Sequence, residues 1–460
     1  MGPSTATARV RRAFLAVASI LAFISAARAE NWTYGVDVGV GYTDNVALVP
    51  TDKTGQTIAT TDVDFALQQQ SLRLDTALKG DFSYLDFLQH AYSGELLGRF
   101  DGLAHLLIVP ERLTWTLQDD FGQAQLNPFL APTPANRENV DYLLMGPDLT
   151  LHMGSTGFLD LSARYARALY QTSPFDSNRV LASLAWGLQL SARSSVSLDG
   201  NTEHVMFDNT VVNTDFERNS VFAHYEAQGA RTDLLASLGA SEVTAGGATT
   251  SGPLARLSLT RKLSAAANLT LLAGRELTDA STSFSALQNG AIGAISSAPA
   301  PVTSASYTST YASVGWQYER NRTTLGASAR WEQDFYEGQP LLDVGRSGAE
   351  FKLDRQVTRA LSAQLLGSLY YTDYAHANFT TQDELVGMAL TLRQGRGLEY
   401  RLRYSHISRI ATGIGTGFTE NIAFLTIGYR PQLPTYDNAG NPIDVPETIA
   451  HPIPSPGGIP

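Results

Sequence analysis

Eight histidines, His90, His105, His152, His204, His224, His376, His406 and His451, are scattered through 460 residues with no paired spacing. Neither H-E-x-x-H, a P-loop nor G-x-S-x-G occurs, which removes the commonest zinc, nucleotide and serine-hydrolase signals. A serine nucleophile needs a histidine base and an orienting acid, and linear spacing gives no reason to expect the three to meet. Asp119 and Asp120 offer paired carboxylates. On a strand, however, adjacent residues point to opposite faces and cannot flank one glycosidic bond. With no cysteine there is no thiolate chemistry, disulfide framework, cysteine-held metal or lipid-anchor site. The expectation is a protein that is not an enzyme, with no catalytic, cofactor-binding or metal-ligating residues.

The charged residues are organised instead by a two-residue period. From Trp32 to Tyr42 every even position is apolar or aromatic and every odd one small or polar. Eleven such residues match a tilted membrane strand, roughly 9–11 residues, better than the usual soluble strand of about 5–6. The theme recurs in Leu72 to Tyr84, Tyr92 to Phe100, Leu113 to Leu117, Leu184 to Leu190, Leu325 to Trp331, Ala363 to Tyr371, Leu398 to Tyr404 and Ala423 to Tyr429. All five tryptophans fall on the apolar phase, as the aromatic girdles of a membrane barrel require. A large soluble β-sandwich, β-helix or propeller would use the same phase over shorter segments.

Ahead of the first strand, Arg9, Arg11 and Arg12, an apolar stretch from Ala13 to Ser25 and Ala27-Arg28-Ala29 compose a secretory signal, expected at residues 1–29. Arg11-Arg12 also admits a twin-arginine reading, although a barrel must insert unfolded. Removing the four signal arginines from a net −11 leaves the mature chain near −15, an acidic balance that argues against nucleic acid. No later stretch reaches the roughly 18 consecutive apolar residues of a membrane helix, so only a closed barrel could span. The expected fold is all-β: a transmembrane antiparallel up-and-down barrel over residues 30–430, in the bacterial outer membrane, with lipid around it.

About nineteen candidate strands can be counted, but single-chain barrels have even numbers. Long connections such as Asp279 to Ser306 alternate with short turns near Arg231, Asn321 and Gly395. That alternation leaves one strand missing before Val140, with Thr60 to Gln69 the best candidate, and brackets the barrel at 18 or 20 strands. Such a size leaves an aqueous lumen unless a loop plugs it. The inward phase then supplies pore-lining candidates: Arg73, Asp75, Lys79, Asp81, Glu95, Arg99, Asp101, Arg330, Arg401 and Arg403. Both signs are present, so charge alone names no permeant.

Residues 431–460 hold eight of the twenty prolines and cannot continue a sheet. They are expected to form a disordered periplasmic tail, or one that docks to a periplasmic partner.

Several short runs also carry a resemblance. Gly39-Val40-Gly41-Tyr42-Thr43-Asp44-Asn45, Val109-Pro110-Glu111-Arg112-Leu113-Thr114-Trp115, Asn136-Arg137-Glu138-Asn139 with Gly146-Pro147-Asp148, and Glu420-Asn421 to Tyr429-Arg430-Pro431 resemble a family of outer-membrane β-barrel porins found with exopolysaccharide gene clusters. The resemblance implies a conduit or accessory for exopolysaccharide export, with a polysaccharide as permeant and no cofactor. Arg112 and Arg137 are read as register-fixing arginines whose partners would be Glu111, Asp120 or Glu138. An anchor for a periplasmic export complex, with a plugged lumen, and a barrel-rim hydrolase are the competing readings.

Overall fold

The computed structural model describes residues 31–290, 302–395, 397–413 and 415–431. The signal segment and the tail beyond Pro431 lie outside the described residues. Twenty strands follow one another in antiparallel order. The first ten are β1 (Asn31–Thr43), β2 (Gln56–Gln70), β3 (Leu74–Phe87), β4 (Glu95–Val109), β5 (Leu113–Gln125), β6 (Arg137–Met153), β7 (Gly157–Tyr170), β8 (Ser177–Ser191), β9 (Ser194–Phe207) and β10 (Phe216–Gln228). Then come β11 (Thr232–Ala245), β12 (Ala248–Ser264), β13 (Ala267–Asp279), helix α1 (Ala280–Gly290), β14 (Ser306–Arg320), β15 (Thr323–Tyr336) and β16 (Val344–Gln356). The chain ends on β17 (Leu361–Tyr374), β18 (Phe379–Gln394), β19 (Leu398–Thr412) and β20 (Phe418–Tyr429). β20 pairs with β1, from Val36 against Tyr429 to Thr43 against Ile422, and closes the barrel.

The strand hidden in the sequence is β2. Its centre, Thr60-Thr61-Asp62-Val63-Asp64, is polar on both faces, so alternation fades there although the strand pairs fully with β1 and β3. Connections from odd to even strands are mostly long and those from even to odd are two to four residues, which sets the long ones at the extracellular end. The β11–β12 link is the shortest of the odd-to-even connections, made by Gly246 and Gly247 at φ 57° and 84°, values that favour glycine.

The outer surface is apolar strand after strand. Val36, Val38, Val40, Leu184, Trp186, Leu188, Leu402, Leu425 and Ile427 all point outward and are exposed. Trp32 and Trp115 near the starts of their upward strands, with Trp316 stacked on Tyr318 near the end of a downward one, mark the periplasmic edge of this belt. On β3 and β4, Gly80 and Gly102 leave room for the rings of Phe65 and Phe100 to lie across the wall; a Cβ would meet them at 2.6 and 2.8 Å.

Three elements leave the wall. β13 pairs with β12 only as far as Arg275, after which Glu276 to Asp279 pair with β14 alone and turn inward. Leu277 then packs on the inner faces of Val205, Phe207, Phe216 and Val243. The freed edge of β12 carries Pro253, which has no N–H to leave unpaired. α1 continues inward from there, and residues 126–136 cross the extracellular mouth.

Candidate functional site

The lumen is the candidate site, and its geometry begins with the inner phase of the strands. Asp75, Lys79 and Asp81 of β3, Arg99 and Asp101 of β4, Arg330 of β15, and Arg401 and Arg403 of β19 all stand on that phase. Glu95 lies at the extracellular end of β4, where its carboxylate takes the Arg137 guanidinium at 2.7 Å. Arg73 sits in the periplasmic turn between β2 and β3, its carbonyl accepting the Leu107 N–H at 2.7 Å.

Opposite charges on neighbouring positions neutralise one another along this wall. Arg99 bonds Asp101 at 3.0 Å, Arg330 bonds Glu332 at 2.8 Å and Arg403 bonds Asp62 at 3.1 Å, with its guanidinium over the Phe424 ring. Arg256 with Glu276 at 2.7 Å, Arg346 with Asp334 at 2.8 Å and Arg409 with Asp383 at 2.5 Å extend the pattern. In a half-buried setting such pairs hold long side chains against the wall and remove their individual fields.

Two insertions enter the outer half of the bore. Asp279 caps α1, accepting from the Thr282 hydroxyl at 2.6 Å, and is itself gripped by Arg179 at 2.7 Å. Arg179 also reaches Glu203 at 3.1 Å, and Glu203 bonds Arg218, closing a buried group of two arginines and two carboxylates. Phe284 packs among Val140, Tyr142, Ala166 and Ala168 of β6 and β7. Ser281 meets the Tyr170 hydroxyl at 2.9 Å, Ser283 accepts from Tyr307 at 2.6 Å, and Ser285 donates to Asp120 at 2.5 Å. α1 thus lies against inner faces from β5 to β10 and touches β14.

The second insertion, residues 126–136, is shaped by Asn136, whose side chain accepts from the Asn127 N–H and donates to the Asn127 and Ala131 carbonyls at 2.9 to 3.0 Å. It carries Phe129 across the mouth to rings on β17 and β18, 5.0 Å from Tyr374 and 5.5 Å from Phe379. Arg409 donates to the Leu130 carbonyl at 3.4 Å.

The short motifs of the sequence are structural. Asp44 accepts from the Asn421 backbone and side chain at 2.8 and 2.7 Å, pinning β1 to β20 at the mouth. Burial works to raise the Asp44 carboxyl, but the Asn421 hydrogen bonds hold it below its ordinary pKa. Glu138 accepts the backbone N–H groups of Thr172 and Ser173 at 2.7 and 2.9 Å. Gly146 adopts φ 155° at a break in the β6–β7 register, where the next carbonyl, that of Pro147, accepts from Arg164 at 2.8 Å. Arg137 fixes register as expected, but through Glu95 rather than Glu111, Asp120 or Glu138. Arg112 lies in a turn and contributes its carbonyl to the Thr150 N–H at 2.8 Å.

Asp119 and Asp120 do face opposite sides. Asp120 turns inward to Ser285, and Asp119 turns outward beside Asp141. The nearest approach to a catalytic constellation is His105, Thr116 and Asp148. There the Thr116 hydroxyl already donates to Asp148 at 2.6 Å, and Asp148 is held by Arg164. That hydroxyl proton faces the acid rather than the imidazole, so the arrangement does not activate a nucleophile. Among the described residues no three His, Asp or Glu side chains form a metal-holding group.

A closed twenty-strand barrel with an apolar outer belt and a polar, charged interior is an outer-membrane β-barrel. No protein-family description matches the chain, and no curated protein does. Among solved structures it is similar to the siderophore receptor PirA from Pseudomonas aeruginosa, with 12% identity, 88% of this chain and 81% of that one covered and a TM-score of 0.41. It is similar also to the FrpB iron transporter from Neisseria meningitidis, with 8% identity, 88% and 82% covered and a TM-score of 0.41. Likenesses this distant leave the cargo of the barrel to be argued from its own lumen.

Proposed function

We propose that this barrel is a porin-like conduit serving exopolysaccharide export, with no catalytic step of its own. The observation that carries the reading is the inner wall, where arginines are matched by carboxylates into a hydrogen-bonding surface with little local field. Such a surface suits a hydroxyl-rich chain that exchanges hydrogen bonds as it moves, because no single site holds it tightly. The resemblance of the short motifs to those of exopolysaccharide-associated barrels is in keeping with the same cargo. The rival reading, an anchor with a plugged lumen, draws on α1 and the mouth loop inside the bore.

Planar-bilayer recording of the refolded mature protein separates the two. A conduit gives stepwise conductance that neutral oligosaccharides occlude, and removing residues 431–460 leaves that conductance in place. An anchor gives a silent barrel, and the same truncation abolishes polymer export in cells.

The bore is also expected to prefer cations. Among the described residues Asp75, Asp81, Asp160 and Asp199 stand on the inner phase without an ion-pair partner, whereas the inward arginines are largely paired. Potassium should permeate more readily than chloride by roughly twofold or more, read from the reversal potential in a KCl gradient. A chloride preference would show that the paired arginines, not these carboxylates, set the field.

A further inference from the structure

The mouth contact of Phe129 covers a place with its own unmet chemistry. Tyr374 and Phe379 lie 5.8 Å apart with planes 32° from parallel, so together they form a shelf on the inner wall. Phe129 stands nearly upright against both, at 65° and 79°, the edge-to-face arrangement that aromatic rings favour. The same cluster contains Tyr336 and Tyr307, stacked at 4.5 Å.

Beside these rings are hydrogen-bonding groups that the protein does not fully satisfy. Asp334 is wholly buried and Arg346 and Tyr336 nearly so; Ser309 approaches Asp334 and Tyr374 approaches Arg346, but Asp334 Oδ1, the Arg346 Nε and Nη2 and the Tyr336 hydroxyl make no hydrogen bond of full geometry. The two guanidinium donors come from β16, one strand over from Tyr374, and the acceptor and the phenol from β15, two strands over. A buried polar atom without a full hydrogen bond carries the cost of its lost solvation. Four in one place, against an aromatic shelf, match a ring that has C–H groups on one face and hydroxyls at its edge.

We propose that this aromatic shelf is a saccharide-binding subsite at the extracellular mouth and that Phe129 covers it in the absence of sugar. A pyranose would set its axial C–H groups where the Phe129 edge now lies, with its hydroxyls reaching Asp334, Arg346 and Tyr336. The subsite rests on the conduit reading for its biological sense, but not for its test.

The test is equilibrium binding of neutral glucose hexasaccharides with β-1,4, β-1,3 and α-1,4 linkages to refolded protein, with polyethylene glycol of equal length as the control. Phe129→Ala is expected to raise affinity for at least one hexasaccharide about tenfold over wild type, with no gain for polyethylene glycol. Adding Phe379→Leu, a change that keeps apolar bulk and the fold, should erase the gain. Because the chain lacks cysteine, Leu130→Cys and Arg409→Cys can be joined by a bismaleimide of about the arginine's reach, and this tether, by holding the loop down, should abolish saccharide binding. No gain with any of the three sugars, or an equal gain with polyethylene glycol, overturns the subsite. Conductance without such binding removes the subsite and leaves the conduit, whereas binding to a barrel that never conducts removes the conduit and leaves the subsite.

Discussion

Replacing Arg179 by alanine is expected to unseat α1 and raise single-channel conductance several-fold while the barrel remains closed. The Arg179 side chain is 1% exposed and faces Asp279 and Glu203, with Arg218 completing the balance. Without it, one arginine must serve two buried carboxylates. Breaking one partner of a buried ionic group costs about 3–5 kcal/mol, because the remaining charge has neither water nor a counter-ion. The wall strands are fixed by continuous ladders and by lipid, so they cannot relieve this. The end of β13 can, since beyond Arg275 it is paired on one side only. Moving Asp279 to water restores its solvation and draws α1, capped by that same carboxylate, out of the bore. Arg179→Lys should give a smaller rise, since an ammonium keeps the charge but not the fork that spans both acids. The checks are conductance together with heat-modifiable gel migration. Unchanged conductance with a less heat-resistant barrel would place the network in the service of the wall instead.

The strands were legible because a barrel meets lipid on one side and water on the other, which writes an apolar and polar alternation into each segment. β2 escaped for the same reason in reverse: Thr60, Thr61, Asp62 and Asp64 blur the two faces, and only the parity of the strand count revealed it. The inward path of residues 280–290 was not legible. The segment holds no charged residue and reads as an ordinary long loop; its placement depends on Asp279 finding Arg179 and Phe284 finding Ala166 and Ala168, about a hundred residues away. Arg179 was visible on an inward phase, but a phase tells which face a residue occupies and not which distant strand tops share its level. The same gap hid the pairing of Arg137 with Glu95, forty-two residues apart. Asp334, Arg346 and Tyr336 were equally silent, since unmet hydrogen bonds are a property of packing.

Arg430→Ala is expected to loosen the seam between first and last strands and lower the unfolding temperature of the barrel more than any single change in its lipid-facing wall. Arg430 follows β20 directly and gathers acids from three other strands: Asp37 of β1 at 2.8 Å, Asp64 of β2 and Glu399 of β19 at 2.8 Å. Burial alone would lower the pKa of this guanidinium, but the Asp37 hydrogen bonds and the surrounding carboxylates raise it above its usual value, so it stays charged wherever the acids are ionised. The β1–β20 register spans only Val36 to Thr43 and omits the periplasmic end of β1, so there the side-chain clamp stands in for ladder hydrogen bonds. Asp37 is 1% exposed and Glu399 2%, and truncating their shared partner leaves both buried without it, a loss of about 3–5 kcal/mol. Glu399 retains Arg393 at 2.7 Å, so the deficit concentrates on Asp37. Asp37→Asn in the Arg430→Ala background should therefore recover part of the lost stability, because the amide removes the stranded charge while keeping the shape. A double variant no more heat-resistant than Arg430→Ala alone would show that the seam is held by the ladder and not by charge.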